Sequence, residues 1–269
     1  LWIYHGHNHL SALLVFAIPL ALYFLKSYWN KKRIRILSIT TCILLIASLL
    51  FTFSIGAMIA SAVSFLISFA LFGKKILHDK FPIKSMHFLI FLIIAFFALS
   101  SFYIFSETKG IKIKYVSPQT NTTKKIRLYK DPQIYAEARF VYWRVAFDNF
   151  LKNPLTGSGL ETFDKALSNF GNIGKAAYTT HTHNFFIQML TDAGIFGFLT
   201  SIMLIGSILW QGYQKIKNTL ASNESFFYTS LYIGILSSAL FSTIDLDWHA
   251  PIVFLFFWIF AGLFRKNVN

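Results

Sequence analysis

The sequence predicts an all-α polytopic membrane protein of about seven transmembrane helices, with one large outer loop that itself contains a helix. Three observations lead there. The composition is 55% hydrophobic and 18% aromatic against 13% charged, with 31 phenylalanines, a departure from soluble usage toward that of membrane proteins. Apolar runs long enough to cross a bilayer, which needs about 20 such residues, recur along the chain. The short loops between those runs alternate between rich in Lys and Arg and free of them.

The runs are 11–29, 34–54, 55–73, 86–106, 193–210, 226–244 and 250–264. They divide the chain into a membrane region of four candidate spans (1–106), an outer segment (107–182) and a second membrane region of three (183–269). Only a tight turn at Ser54–Gly56 separates the second and third spans. Basic clusters follow the first span (Lys26, Lys31, Lys32, Arg33, Arg35), the third (Lys74, Lys75, Lys80, Lys84), the fifth (Lys215, Lys217) and the seventh (Arg265, Lys266). By the positive-inside rule these are cytoplasmic, which puts 1–10, 107–182 and the turn 245–249 outside. The remaining twelve of the 25 basic residues lie in 107–182, a loop too long for the rule to govern. A formal charge of +14 distributed this way reflects topology, not a nucleic-acid surface. The start at Leu1, without a methionine and close to an apolar run, leads to the expectation that earlier membrane helices precede it. Cys42 is the single cysteine, so no intrachain disulfide forms.

Within the outer segment, Lys109–Val116 alternates basic and apolar residues and reads as a short strand. Asn121-Thr122-Thr123 matches a glycosylation sequon by letters alone. A helix follows over Gln133–Leu151: Asp131 suits its N-cap, Pro132 its first position, and Asn153-Pro154 its end. On that helix Arg139 has Tyr135, Ala136, Tyr142 and Trp143 at its same-face positions and no carboxylate among them, which favours an external anion, with a cation–π contact to Trp143 as the alternative. Arg144 has Asp148 four residues on and Glu137 seven back, so a surface ion pair is its plainer explanation and a ligand the alternative.

The densest polar stretch in an otherwise greasy chain is Thr179–Gly197, with His181, His183, Asn184, Gln188 and Asp192 at the mouth of an apolar helix. Asn184, Gln188 and Asp192 fall at i, i+4 and i+8 on one stripe. The structural alternative is a polar interfacial face capped by Thr180 or Thr182. His5, His7 and His9 near the N-terminus share a face if extended, but no Cys, Asp or Glu completes a metal set beside them.

Two motifs make the chain similar to a known group. His183-Asn184, nine residues, then Gly194-x-x-Gly197 leads into a span; Arg139-x-x-x-Trp143-Arg144-x-Ala146 is followed by Pro154-Leu155-x-Gly157-x-Gly159-x-x-x-Phe163. With Asn8, Ser11 and Pro19 near the start, the chain from Leu1 to Phe264 resembles the bacterial O-antigen ligase and O-antigen polymerase superfamily. The resemblance implies a GT-C-like helical membrane fold and a glycosyltransferase of the bacterial inner membrane, working on its periplasmic side. The implied donor is a polyprenyl-diphosphate-linked glycan and the implied acceptor lipid A core, among membrane lipids and with no cofactor or nucleic acid. A polymerase or a protein-glycosylating enzyme of the same superfamily shares these motifs. One departure is clear: the junction that commonly reads Ser-Arg-Gly-Ala in the family, whose arginine holds the diphosphate, is Ser54-Ile55-Gly56-Ala57 here.

The chemistry that follows assigns Arg139 and His183 as catalytic, the first clamping the diphosphate as it leaves and the second accepting the proton of the attacking hydroxyl. A diphosphate nearby also favours a charged imidazole, so His183 has an alternative role in stabilising the leaving group. Arg144, His181, Asn184, Asp245, Asp247 and His249 are candidate substrate-binding residues, with no metal ligands expected. Asp245-x-Asp247 resembles the carboxylate pair that holds a divalent ion in nucleotide-sugar transferases, but capping of adjacent helices explains it equally. A reading from another class is a metal-binding transporter, which calls for ionisable residues along its spans; the candidates carry almost none. Loss of activity in a non-catalytic homologue is a third reading, prompted by Ile55.

Overall fold

A computed structural model of the chain describes residues 7–52, 54–78, 112–116, 123–127, 132–170, 179–220, 222–245 and 247–265. The helices among them are α1 (His7–Ser27), α2 (Lys32–Phe51), α3 (Ile55–His78), α4 (Pro132–Lys152), α5 (Phe163–Asn169), α6 (Phe185–Asn218), α7 (Ser222–Phe241) and α8 (Pro251–Gly262). Strands β1 (Lys112–Val116) and β2 (Thr123–Arg127) form an antiparallel hairpin, and Asp247–His249 is a 3-10 turn. The predicted span 86–106, His5, Asn121 of the sequon and the cap Asp131 lie outside the described residues. The chain divides into two compact units: Leu1–Phe97 with Asn184–Phe186 and Leu199–Asn269, and Ala98–His183 with Ile187–Phe198.

Four described segments are long and apolar enough to cross a membrane: Asn8–Ser27, Lys32–Phe51, Ile55–Gly73 and Phe185–Asn218. The chain is a polytopic membrane protein. At about 1.5 Å per residue, the 12 residues of α8 fall short of a bilayer core of about 30 Å. Helix α7 reaches 20 residues but opens with Ser-Asn-Glu-Ser and carries serines through its body.

Those serines are tolerable because of where α7 sits in the first unit. It packs against α1 and α3, and residues 229–239 are buried without a break. Between helices in lipid the hydrophobic drive is absent, so small residues that permit close approach and satisfy their own hydroxyls are favoured. Thr229 Oγ1 donates to the Ser225 carbonyl at 2.8 Å and Ser230 Oγ to that of Phe226 at 2.9 Å. A Cβ on Gly234 would stand 3.2 Å from both Phe16 of α1 and Phe260 of α8, whose rings meet edge-on at 4.9 Å. Helix α2 shows the opposite pattern. It exposes Ile36, Leu37, Ile43, Leu44 and Phe51, which lipid covers without cost.

At one end of the unit, cations lie over aromatic rings: Arg35 is 5.3 Å from the Trp29 ring centroid, Lys31 5.5 Å from Tyr28 and Lys215 5.0 Å from Tyr228. Lys26, inside α1, stands 4.3 Å from the Phe226 ring. Aromatic rings and long basic side chains together are the usual composition of a membrane interface. The turn 247–249 is pinned by Trp248, which meets Phe185 edge-on (4.7 Å) and Phe257 at a tilt (4.6 Å) and donates its indole N–H to Ser238 Oγ at 2.8 Å.

In the second unit Tyr142, Val145 and Ala146 of α4 close a small core on Phe163 and Leu167 of α5. Helix α4 starts at Pro132, where the missing N–H costs nothing, and ends before Asn153-Pro154, since a residue preceding proline avoids helical geometry. The expected strand is present as β1. Its register pairs Lys112 with Arg127 and Ile113 with Ile126.

Replacing Gly234 by Leu is expected to drive the side chain into Phe16 and Phe260 and lower the thermal midpoint of detergent-solubilised protein by several degrees. Trp248→Phe, which loses one hydrogen bond worth about 0.6 kcal/mol in such a setting, shifts it far less. Fluorescence-detected size-exclusion after heating measures both.

Candidate functional site

The second unit carries both motifs except Asn184, and a break in α6 joins them. Gly194 has φ 66° and ψ −163°, a conformation open essentially to glycine alone, and it interrupts the helix. In an unbroken helix the Ile195 N–H would donate to the Thr191 carbonyl. Here Ile195 N–H donates to the Pro154 carbonyl at 2.8 Å, and the Thr191 carbonyl accepts from Ser158 N–H at 2.9 Å. The Asp192 carbonyl, which would serve residue 196, accepts from Gly159 N–H at 3.0 Å. The loop 154–159 therefore takes over the hydrogen bonds that the helix gives up. Asn149 of α4 adds a bond from its side-chain amide to Thr191 Oγ1 at 2.9 Å.

This exchange explains why the glycines of two separate motifs are needed together. A Cβ on Gly157 would lie 2.4 Å from the Asp192 carbonyl oxygen, and one on Gly194 2.3 Å from that of Leu155. Each glycine is the space through which the other strand of backbone passes.

Above the break lie the histidines. Thr182 is fully buried between them, with its N–H donating to Gln188 Oε1 at 2.9 Å and its carbonyl accepting from the Trp143 indole N–H at 3.1 Å. Gln188 Nε2 in turn donates to Asp192 Oδ2 at 2.9 Å. His183 takes the left-handed conformation, φ 53°, which costs a residue other than glycine about 1–3 kcal/mol. Its ring lies 5.8 Å from that of Tyr142 at an interplanar angle of 30°. Tyr142 and Trp143 are three and four residues after Arg139, so one face of α4 carries Arg139 and, a turn later, the two aromatics that engage the histidine segment. His181 is half-buried, its backbone N–H accepted by Thr179 Oγ1 at 3.3 Å.

Arg144 points elsewhere on α4. Its guanidinium lies 5.9 Å from the Phe170 ring, and among the described residues no ion pair joins it to Asp148. The i, i+4 pairing read from the sequence gives way to a cation–π contact, because the C-terminal end of α5 brings an aromatic ring within reach.

The remaining candidates belong to the first unit. Asn184 caps α6: its Oδ1 accepts from Phe186 N–H at 3.0 Å, while its amide donates to the Thr243 carbonyl at 2.7 Å. Phe185 N–H donates to the Ser242 carbonyl at 2.8 Å, so the start of α6 is tied to the end of α7. Asp245 is buried and accepts a hydrogen bond from Asn8. His249 is exposed, and the side chain of Asp247 is outside the described residues. At the α2–α3 junction Ser54 is buried and Ile55 opens α3; Gly56 is wedged where a Cβ would stand 3.0 Å from Phe241 and Ile244.

Residues 40–202, more than half the chain, match the family described as O-antigen ligase. The chain belongs to that family. Membership implies activity of the O-antigen ligase or polymerase type on glycan and lipid-linked substrates. No curated protein and no solved structure matches the chain. The O-antigen ligase match spans the α2–α3 junction, the α4 motif, the loop 154–159 and the histidine segment, the parts that meet around Gly194 among them. Residues that sequence reasoning did not assign are Tyr142, Thr182, Gln188 and Asp192; the i, i+4 spacing of the last two was the available signal.

Gly194→Ala is expected to lower the amount of folded protein in the membrane sharply, since the backbone conformation alone costs about 1–3 kcal/mol and the added methyl has no room. Gly206→Ala, in the same helix with nothing within 4 Å of its Cβ, leaves the level unchanged or raises it slightly. Quantitative immunoblotting of membranes compares the two.

Proposed function

We propose that the protein is an inverting, metal-independent glycosyltransferase of the bacterial inner membrane, moving a glycan from polyprenyl diphosphate to lipid A core at the periplasmic face. The observation that supports this reading best is the shared face of α4, where Arg139 precedes by one turn the Tyr142 and Trp143 that hold the segment of His183. In this reading the chain crosses the membrane about seven times in a GT-C-like arrangement, with 107–182 outside.

The reaction breaks the bond between the anomeric carbon and the diphosphate oxygen. The bonding pair leaves with the polyprenyl diphosphate, whose growing negative charge the Arg139 guanidinium matches through paired N–H donors. The acceptor hydroxyl attacks from the opposite face of the sugar, which inverts the anomeric centre, and its proton passes to the His183 imidazole. Diphosphate is already a stable leaving group and needs no strong acid. The family's junction arginine is Ile55 here, so the positive charge has to come from the outer loop, with Arg139 first and Arg144 as an auxiliary near the Phe170 ring. His181, two residues before His183 in the same unit, completes the reading as a sugar-contacting residue.

Complementation of a ligase-deficient Gram-negative host tests this, read as glycan on lipid A core in gels. The parent restores it; Arg139→Ala and His183→Ala, at equal membrane levels, each lower it at least about 100-fold, as loss of a charge stabiliser or a proton acceptor does. Lipid-linked glycan of altered length without transfer to the core identifies a polymerase instead, and glycan on protein an enzyme that glycosylates protein. With purified protein, transfer is unchanged by excess chelator; loss on chelation and recovery with a divalent ion overturns the metal-independent mechanism.

A further inference from the structure

We infer that Gln188 and Asp192 are positioning residues for His183, acting through the peptide of Thr182. The inference rests on the role given to His183 above and adds two residues that touch no substrate.

Hydrogen-bond chemistry fixes the direction of the relay. An ionised aspartate only accepts, so Asp192 Oδ2, 2.9 Å from Gln188 Nε2, requires the amide nitrogen of Gln188 on its side. The amide oxygen is thereby turned to Thr182, whose N–H it accepts at 2.9 Å. The flipped amide is excluded at both ends, since it would set N–H donors against Thr182 N–H and its oxygen against the Asp192 carboxylate. Gln188 is 1% exposed and Thr182 0%, so water does not compete for these bonds. The Thr182 carbonyl is held from the other side by Trp143.

Both backbone polar groups of the residue before His183 are thus clamped, by side chains from two different helices. His183 itself is in the left-handed region, where a histidine stays only if its surroundings determine its backbone. The loop 154–159 fixes the far end of the relay, because Asp192 is the residue whose carbonyl accepts from Gly159. The relay therefore runs from the helix break to the imidazole, and its consequence is the placement of the His183 ring beside Tyr142.

The test exploits polarity. Gln188→Met keeps the volume and removes both bonds. Gln188→Glu alone sets two carboxylates against each other. The double variant Gln188→Glu with Asp192→Asn restores the relay in reverse, with the Asn amide donating to one Glu oxygen and Thr182 N–H to the other, at unchanged net charge. Two readouts are taken on purified full-length protein: transfer kinetics with polyprenyl-diphosphate-linked O-antigen and lipid A core extracted from a ligase-deficient host, and the rate at which diethyl pyrocarbonate modifies His183, located by mass spectrometry. Gln188→Met and Gln188→Glu are expected to lower kcat about 10- to 100-fold, the cost of misplacing a reacting group by about an ångström, with KM for the donor within about twofold. In both variants His183 modification speeds up severalfold. The double variant restores kcat and the modification rate together. If Gln188→Met retains the parent's kcat and His183 reactivity, or the double variant behaves like Gln188→Glu, the relay is overturned. If the parent transfers no glycan to any acceptor the proposed function falls, and the modification rates alone then decide this inference.

Discussion

A helix cannot contain Gly194 in its observed conformation and keep its own hydrogen bonds, and the second unit is built on the repair of that break. The carbonyls of Thr191 and Asp192 and the N–H of Ile195 are partnered by the backbone of loop 154–159. Thr191 and Asp192 are buried, and a buried peptide group left unpaired costs about 1–3 kcal/mol, so loop and helix stabilise each other. Everything argued for the histidines follows from this junction. It fixes Asp192, Asp192 orients Gln188, and Gln188 holds the peptide ahead of His183.

The two units meet different physical demands. In the first, burial in lipid makes apolar residues cheap on the outside and small polar ones useful inside, which is why α2 exposes leucines and isoleucines while α7 buries serines. In the second, a small core of Tyr142, Val145, Ala146, Phe163 and Leu167 supports the hydrogen-bonded chain from Trp143 through Thr182 and Gln188 to Asp192. A rigid arrangement of that kind suits chemistry in which charge must be matched at a fixed point in space.

Much of this was legible in the sequence where a single physical rule dominates. Apolar length located α1, α2 and α3 to within a few residues, since spanning a bilayer leaves little latitude. Proline at either end bounded α4 as Pro132–Lys152 against the expected Gln133–Leu151. Alternation placed β1. Other features rest on contacts distant in sequence. Helix α6 runs over Phe185–Asn218, well beyond the apolar run 193–210, and loop 154–159 sustains it across its break. The short α5 has no periodic signature at seven residues. The stripe of Asn184, Gln188 and Asp192 was visible, but Asn184 leaves it to cap the helix and bond Thr243, and only Gln188 and Asp192 pair. Arg144 was paired with Asp148 by spacing alone, and the Phe170 ring that takes its place lies 26 residues away. The family, by contrast, could be read from motif residues whose spacing is set by that same junction.

The central claim is that the α4 face bearing Arg139 and the segment of His183 handle the diphosphate of a lipid-linked glycan. Photocrosslinking tests it most directly: purified protein is irradiated with a polyprenyl-diphosphate glycan carrying a photoreactive group next to the diphosphate, and adducts are mapped by mass spectrometry. The account predicts adducts on residues 139–144 and 179–183, suppressed by excess unmodified donor. Adducts confined to other parts of the chain, or insensitive to that competition, would contradict it.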